Sequence, residues 1–143
     1  VADVPHTNAK IVRTVRDYGG SAVMLHGITG PDSIEDCIEA GGDDVGIIIQ
    51  AELTSPGGLI FTQKISEDIV KLAAQYPIYG IQAPGNRPDR IQKLREIVGP
   101  DKVLVCCGVG RAIYESDDPL QALADIQATA GKYPFESASS MSA

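Results

Sequence analysis

The chain has 143 residues, of which 43% are hydrophobic and 5% aromatic, and its net charge is −7 with no run of basic residues. That length suits one core in one domain, and the charge excludes an extended nucleic-acid surface, which needs clustered Lys and Arg. No apolar stretch reaches the ~18 residues of a membrane span, and three cysteines, Cys37, Cys106 and Cys107, lack the spacing of a disulfide framework.

No signal peptide is visible, so a cytoplasmic protein is expected. Cys106 and Cys107 read as small buried hydrophobes ending an apolar run. A small anionic ligand remains compatible with the acidic composition, because a helix N-terminus with one or two cations can hold phosphate.

In chain order, Val1 to Asn8 reads as a strand exit running into a helix start, with no strand before it. A helix is predicted from Pro5 to Tyr18, with Ile11, Val12 and Val15 on its inner face and Gly19-Gly20 as the stop. Ala22 to Leu25 is a short apolar run followed by His26-Gly27, and Pro31-Asp32-Ser33 opens a helix with Ile34, Cys37 and Ile38 inward. Val45 to Leu53 is the strongest strand, with Thr54 to Gly58 as a loop behind it. Ile65, Ile69, Leu72 and Ala73 mark the next helix, ending near Pro77. Ile78 to Ile81 reads as a strand, Gln82 to Arg87 as a loop and Pro88 to Val98 as a helix with Ile91, Leu94, Ile97 and Val98 inward. Lys102 to Cys107 is a strand, and Asp118 to Ala130 a last helix with Pro119 in its first turn.

Strands alternate with helices at roughly 30-residue intervals, and the strands are continuous apolar runs. That pattern belongs to a parallel sheet covered by helices. Four strands suffice for an open doubly wound sheet but not for a closed eight-fold barrel, which needs about 200–250 residues. The expected organisation is one domain over residues 1–133 and a flexible tail over 134–143.

Ligands of parallel α/β proteins sit at the C-terminal strand ends, which singles out the loops 1–7, 26–30, 52–58, 82–87 and 107–111. Asp3 is a candidate catalytic carboxylate or a helix-capping acid, and Thr7 an N-cap or a ligand hydroxyl. His26 reads as structural, because no acid lies near it in sequence. Glu52 calls for a lysine or backbone partner, and the less favoured reading makes it a base. Thr54 and Ser55 offer hydroxyls and N–H groups. Gly108-Val109-Gly110-Arg111 is the best anion site: the glycines let backbone N–H groups approach a phosphate, and Arg closes on it. With two His and no clustered ligands, no metal site is expected.

Six segments, V-A-D-V-P-H-T-N, M-L-H-G-I-T-G, A-E-L-T-S-P-G-G, I-Q-A-P-G-N-R-P-D-R, C-G-V-G and G-R-A-I-Y-E-S-D-D-P, together resemble the orotidine 5'-monophosphate decarboxylase family of the archaeal type, from Val1 to about Ala130. The first, fourth and last are specific; the others occur in many phosphate-binding barrels. The resemblance implies a homodimeric (β/α)8 TIM barrel that converts orotidine 5'-monophosphate to UMP by an electrostatic mechanism, with neither metal nor cofactor. It implies a catalytic run Asp-x-Lys-x-x-Asp, of which Asp3 matches the last acid; the Lys would stand immediately before Val1. By the same resemblance Thr7 reaches the nucleotide across the dimer, and Thr54, with Ser55 as fallback, meets the pyrimidine and carboxylate end. Cys107, Gly108, Val109 and Gly110 correspond to the strand-seven phosphate loop, and Arg111 to the phosphate-binding Arg after strand eight. The family separates Gly-Val-Gly from Gly-Arg by a loop, a helix and a strand, which this chain fuses. A partial barrel is therefore expected, lacking roughly the first three strands and the connection between the last two. The 143 residues alone are expected not to turn over. Two other readings are a hexulose-phosphate synthase-like sugar-phosphate barrel needing Mg2+, and a non-catalytic barrel fragment.

Overall fold

The computed structural model describes residues 1–130 other than 86 and 108, and only the backbone at 88, 106, 107, 109, 111, 112, 129 and 130. The expected tail over 134–143 lies outside the described residues. The elements are α1 (Pro5–Asp17), β1 (Ala22–His26), α2 (Gly30–Gly41), β2 (Gly46–Gln50), α3 (Pro56–Ala73), β3 (Gly80–Pro84), α4 (Pro88–Val98), β4 (Val103–Cys107), α5 (Val109–Tyr114) and α6 (Pro119–Ala130), with a 3-10 turn at Gly27–Thr29.

Local chemistry sets the helix ends. Proline stands in the first turn of α1, α2, α3 and α4, where its missing N–H has no helical partner to lose. Gly42 and Gly99, at φ +56° and +79°, end α2 and α4 in backbone that side chains avoid.

The four strands are parallel in the order β1-β2-β3-β4. One face carries Val23, Leu25, Ile47, Ile49, Ile81 and Ala83, which join Val12, Ile34, Cys37, Val70, Leu94 and Val98 of the helices in a single buried cluster. The opposite face carries Met24, His26, Ile48 and Gln50, all half-buried. Sequential order with the helices on one side is the winding of a (β/α) barrel segment; a doubly wound sheet reverses its strand order and covers both faces. Val1 extends this sheet beyond β1. Its nitrogen donates to the Met24 carbonyl at 2.7 Å, and the His26 N–H donates to its carbonyl at 2.9 Å, as in a parallel bridge.

Several boundaries differ from the sequence pattern. The strand predicted from Val45 to Leu53 ends at Gln50, because the chain turns so that Glu52 reaches two arginines. Residues 56–58, read as loop, start α3: Ser55 caps it, its Oγ accepting from the Gly58 N–H at 3.3 Å. Gln82, Ala83 and Pro84, also read as loop, are strand, and Ile78 and Tyr79 precede it. Composition misled there: β3 uses Gly80 for a close approach, since a Cβ would collide with the Val103 carbonyl, and Pro84 is its last residue, beyond the β2 pairing that ends at Gln82. Ile11 and Ile65 are exposed, because Asn8, Thr62 and Ser66 take inward positions on α1 and α3.

One polar network crosses the C-terminal side of this framework. Glu52 is fully buried; Arg87 bonds its Oε1, and the Arg90 Nε donates to its Oε2 at 3.2 Å. Arg90 also donates to the Glu67 Oε1 at 2.9 Å and the Ser66 Oγ at 2.8 Å, and Lys93 pairs with Glu67 at 2.9 Å. The end of β2 is thereby joined to α3 and α4. Hydrogen bonds from Arg90 and then Lys93 hold the Glu67 carboxyl below its ordinary 4.5. Burial pulls the Arg90 guanidinium down, but Glu67 and Glu52 outweigh it and raise it.

Three outcomes follow for stability. Gly80→Ala is expected to destabilise by about 1–3 kcal/mol or more, by forcing β3 and β4 apart. Glu52→Ala takes a carboxylate partner from Arg87 and from Arg90, which keeps Glu67, and is expected to lose about 1–3 kcal/mol; both are read by urea denaturation. Because Glu67 is depressed, its contribution is present above its unfolded value and lost as pH falls through the folded one. The stability gap between wild type and Glu67→Gln should therefore be full at neutral pH, close below pH 4.5 and shrink in high salt. A gap that widens on acidification contradicts the pairing.

Candidate functional site

The C-terminal strand ends bring His26, Gln50, Pro84 and Cys107 to one rim, and Val1 carries the chain to the same rim beside β1. Asp3 follows directly. Its backbone N–H donates to the Asn8 Oδ1 at 3.0 Å, and the Asn8 Nδ2 returns a bond to the Asp3 carbonyl at 2.6 Å and another to the Ser33 Oγ at 3.1 Å. Asn8 is fully buried, so it fixes the Asp3 backbone while the carboxylate stays exposed. That carboxylate accepts the Val4 N–H at 2.7 Å. Asp3 is thus no helix cap, and neither is Thr7: Val4 is the N-cap, without a side-chain cap bond, and Thr7 lies half-buried in the first turn of α1. Asn8 was missed as a site residue. Its signal was a polar residue one turn before Val12 on the inner stripe.

The β2 exit is held on two sides. Glu52 is bonded by Arg87 and Arg90, rather than by the expected lysine or backbone. The Leu53 N–H donates to the Thr62 Oγ1 at 3.1 Å, and that hydroxyl donates to the Gly58 carbonyl at 2.9 Å. Thr54 lies half-buried between these anchors. Ser55 is exposed, with its Oγ engaged as the α3 cap. With both oxygens bonded to guanidinium groups, Glu52 is placed to position the loop rather than to take a proton.

A second feature escaped the sequence reading. The register aligns His26 with Gln50, and Gln50 with Gln82, in one row across the open face at the rim. Gln82 is 1% exposed; its Nε2 donates to the Ala83 carbonyl at 3.0 Å, and its Oε1 has no partner among the described residues. The buried Nδ1 of His26 also has none among the described residues. Burial lowers the pKa of His26, favouring the neutral ring. The visible signal was a Gln ending two apolar runs, I-I-I-Q and G-I-Q.

Of the expected phosphate loop, Gly108 lies outside the described residues. Cys107 ends β4, while Val109, Gly110 and Arg111 form the first turn of α5 rather than a loop. Gly110 has no positive φ, and a Cβ there would make only ordinary contact with Tyr114. Among the described residues no group of three His, Cys, Asp or Glu gathers to hold a metal, and no helix is long and apolar enough to cross a membrane. An open groove of about 420 Å3 lies near Asp43, Asp44 and Tyr79, at the opposite end of the strands.

Comparison with known proteins agrees with this geometry. The sequence profile of the orotidine 5'-phosphate decarboxylase / HUMPS family matches residues 1–109. The orotidine 5'-phosphate decarboxylase of Methanosarcina mazei is 38% identical over 128 residues, covering 87% of this chain and 57% of that protein. That of Methanococcoides burtonii is 32% identical over 145 residues, covering 85% and 66%. The chain therefore spans less than two thirds of the length of these relatives. The crystal structure of orotidine 5'-phosphate decarboxylase from Pyrococcus horikoshii superposes with a TM-score of 0.73 at 29% identity, over 88% of this chain and 68% of that one. The Methanocaldococcus jannaschii enzyme complexed with the inhibitor BMP gives 0.70 at 27% identity, over 89% and 69%. With the matching profile covering most of the sequence, and the strands wound as in these structures, the chain belongs to the orotidine 5'-phosphate decarboxylase / HUMPS family.

Proposed function

We propose that the protein carrying this chain decarboxylates orotidine 5'-monophosphate to UMP in pyrimidine biosynthesis, without metal or cofactor, as a cytoplasmic homodimer. The observation that carries the reading is the family match over residues 1–109, whose segments fall on the rim loops. The inhibitor-bound relative supports a nucleotide-like ligand.

In this reading Asp3 is the last acid of the charged catalytic run. The Asn8 clamp holds its backbone, so the carboxylate is fixed before substrate arrives. Charge held in place in advance stabilises a transition state most when it matches charge that develops only there. Asp3 orders the neighbouring cationic array beside the carbon that becomes carbanionic. Thr54 contacts the pyrimidine and carboxylate end, on a loop fixed through Glu52 and Thr62. Ser55 is the weaker partner, because its hydroxyl already caps α3. Thr7 reaches the nucleotide of the neighbouring subunit. Cys107, Gly108, Val109, Gly110 and Arg111 take the phosphate, whose binding energy helps close the site.

Carbon dioxide release from carboxyl-labelled orotidine 5'-monophosphate tests this directly. The intact protein is expected to release it at a rate unaffected by EDTA. Asp3→Asn should lower kcat/KM by about a hundredfold or more without changing the denaturation midpoint, because among the described residues the Asp3 carboxylate bonds its neighbour's exposed N–H alone. An intact protein with no turnover contradicts the proposal, and a fully active Asp3→Asn variant contradicts the role of Asp3.

A further inference from the structure

Two buried polar atoms without a partner among the described residues lie on one row of one sheet face. They are the Gln82 Oε1 and the His26 Nδ1, with Gln50 between them in register. Adjacent strands are about 4.8 Å apart, so the row spans roughly 10 Å, about the length of a nucleoside. It stands at the C-terminal strand ends, one step above an apolar row of Met24, Ile48 and Val103. The Gln82 amide is oriented by its Nε2 bond to the Ala83 carbonyl, which leaves the carbonyl oxygen as the unspent group. A buried acceptor without a donor is unfavourable, and proteins retain few of them. The helix-facing residues of the same strands, Ile81 and Ala83, are apolar and fully buried, so the glutamine is not a packing requirement of β3.

We infer that His26, Gln50 and Gln82 form a polar recognition row whose unpaired Gln82 oxygen accepts a hydrogen bond from a donor on the ligand. The inference rests on the nucleotide reading above and deepens it by naming a specificity determinant. The donor is a hydroxyl or imide N–H, the two kinds that a uridine nucleotide carries. His26 supplies a second unpaired nitrogen on the same row. Gln50 is half-buried between the two and completes the polar strip. Ligands of similar shape without the donor leave the Gln82 oxygen desolvated and unpaired, and are rejected on that ground.

The test uses the intact protein and calorimetric titration with UMP, its 2'-deoxy analogue and its N3-methyl analogue. These analogues separately remove a ribose hydroxyl and the imide N–H. Wild type is expected to bind UMP and to discriminate against one analogue by about tenfold or more. Gln82→Met, similar in shape but without the acceptor, should weaken UMP by a similar factor and erase that discrimination. Gln82→Asn withdraws the acceptor while remaining an amide, and should lose the same discrimination. A purely structural glutamine gives the opposite pattern, with affinity and discrimination intact in Gln82→Asn, and that result overturns the inference. Wild type that binds no UMP overturns the nucleotide reading and this inference together. Normal UMP binding with unchanged discrimination in both variants overturns the inference alone.

Discussion

A carboxylate with no exposure to water sits where β2 leaves the sheet, and the arrangement of the rim depends on how it is satisfied. Glu52 is held by Arg87, immediately before α4, and by Arg90, inside α4. An isolated buried charge is strongly unfavourable, so the loop after β2 and the start of α4 must stay where the ion pairs form. Arg90 extends the constraint to Ser66 and Glu67 of α3. Two successive β/α units are thereby locked together by charge at the C-terminal end of the sheet.

The same logic recurs on a smaller scale at Asp3. Asn8 gives up a position on the inner face of α1 to hold one loop, as Thr62 does on α3. In both helices a residue that could have been apolar is polar because it fixes a rim segment. On the decarboxylase reading proposed above, stability is traded for preorganisation, since fixed charges act without reorganising during a reaction. The Gln82 oxygen takes the trade further, being buried without a partner among the described residues.

The sheet was legible from the alternation of apolar runs and amphipathic stretches, and α4 was legible to its last residue, because Pro88 and Gly99 bracket a clean helical stripe. The parallel arrangement followed from continuous apolar strands. What failed was local composition read without tertiary context. Gly80 and Pro84 looked like turn residues but serve a close strand approach and a strand end. Gly57 and Gly58 looked like loop but sit in a helix that Ser55 and Pro56 begin. The rim loops carrying Asp3 and Thr54 were legible as C-terminal strand ends of a parallel sheet, and the resemblance to the family added the roles of those two residues. The residues that hold those loops, Asn8, Thr62 and Arg90, were not, because each acts across 5 to 38 positions of sequence and only the folded chain shows the pairing. Gln50 and Gln82 were hidden for another reason: only the strand register places them beside His26.

The most direct test of the central claim, that the rim is a nucleotide site, is a crystal structure of the intact protein with UMP. The account predicts the nucleotide lying across the C-terminal ends of β1 to β4, its phosphate at residues 108–111 and its uridine portion over the row of His26, Gln50 and Gln82. UMP seated instead in the groove near Asp43, Asp44 and Tyr79, or a rim left empty at saturating UMP, would contradict it.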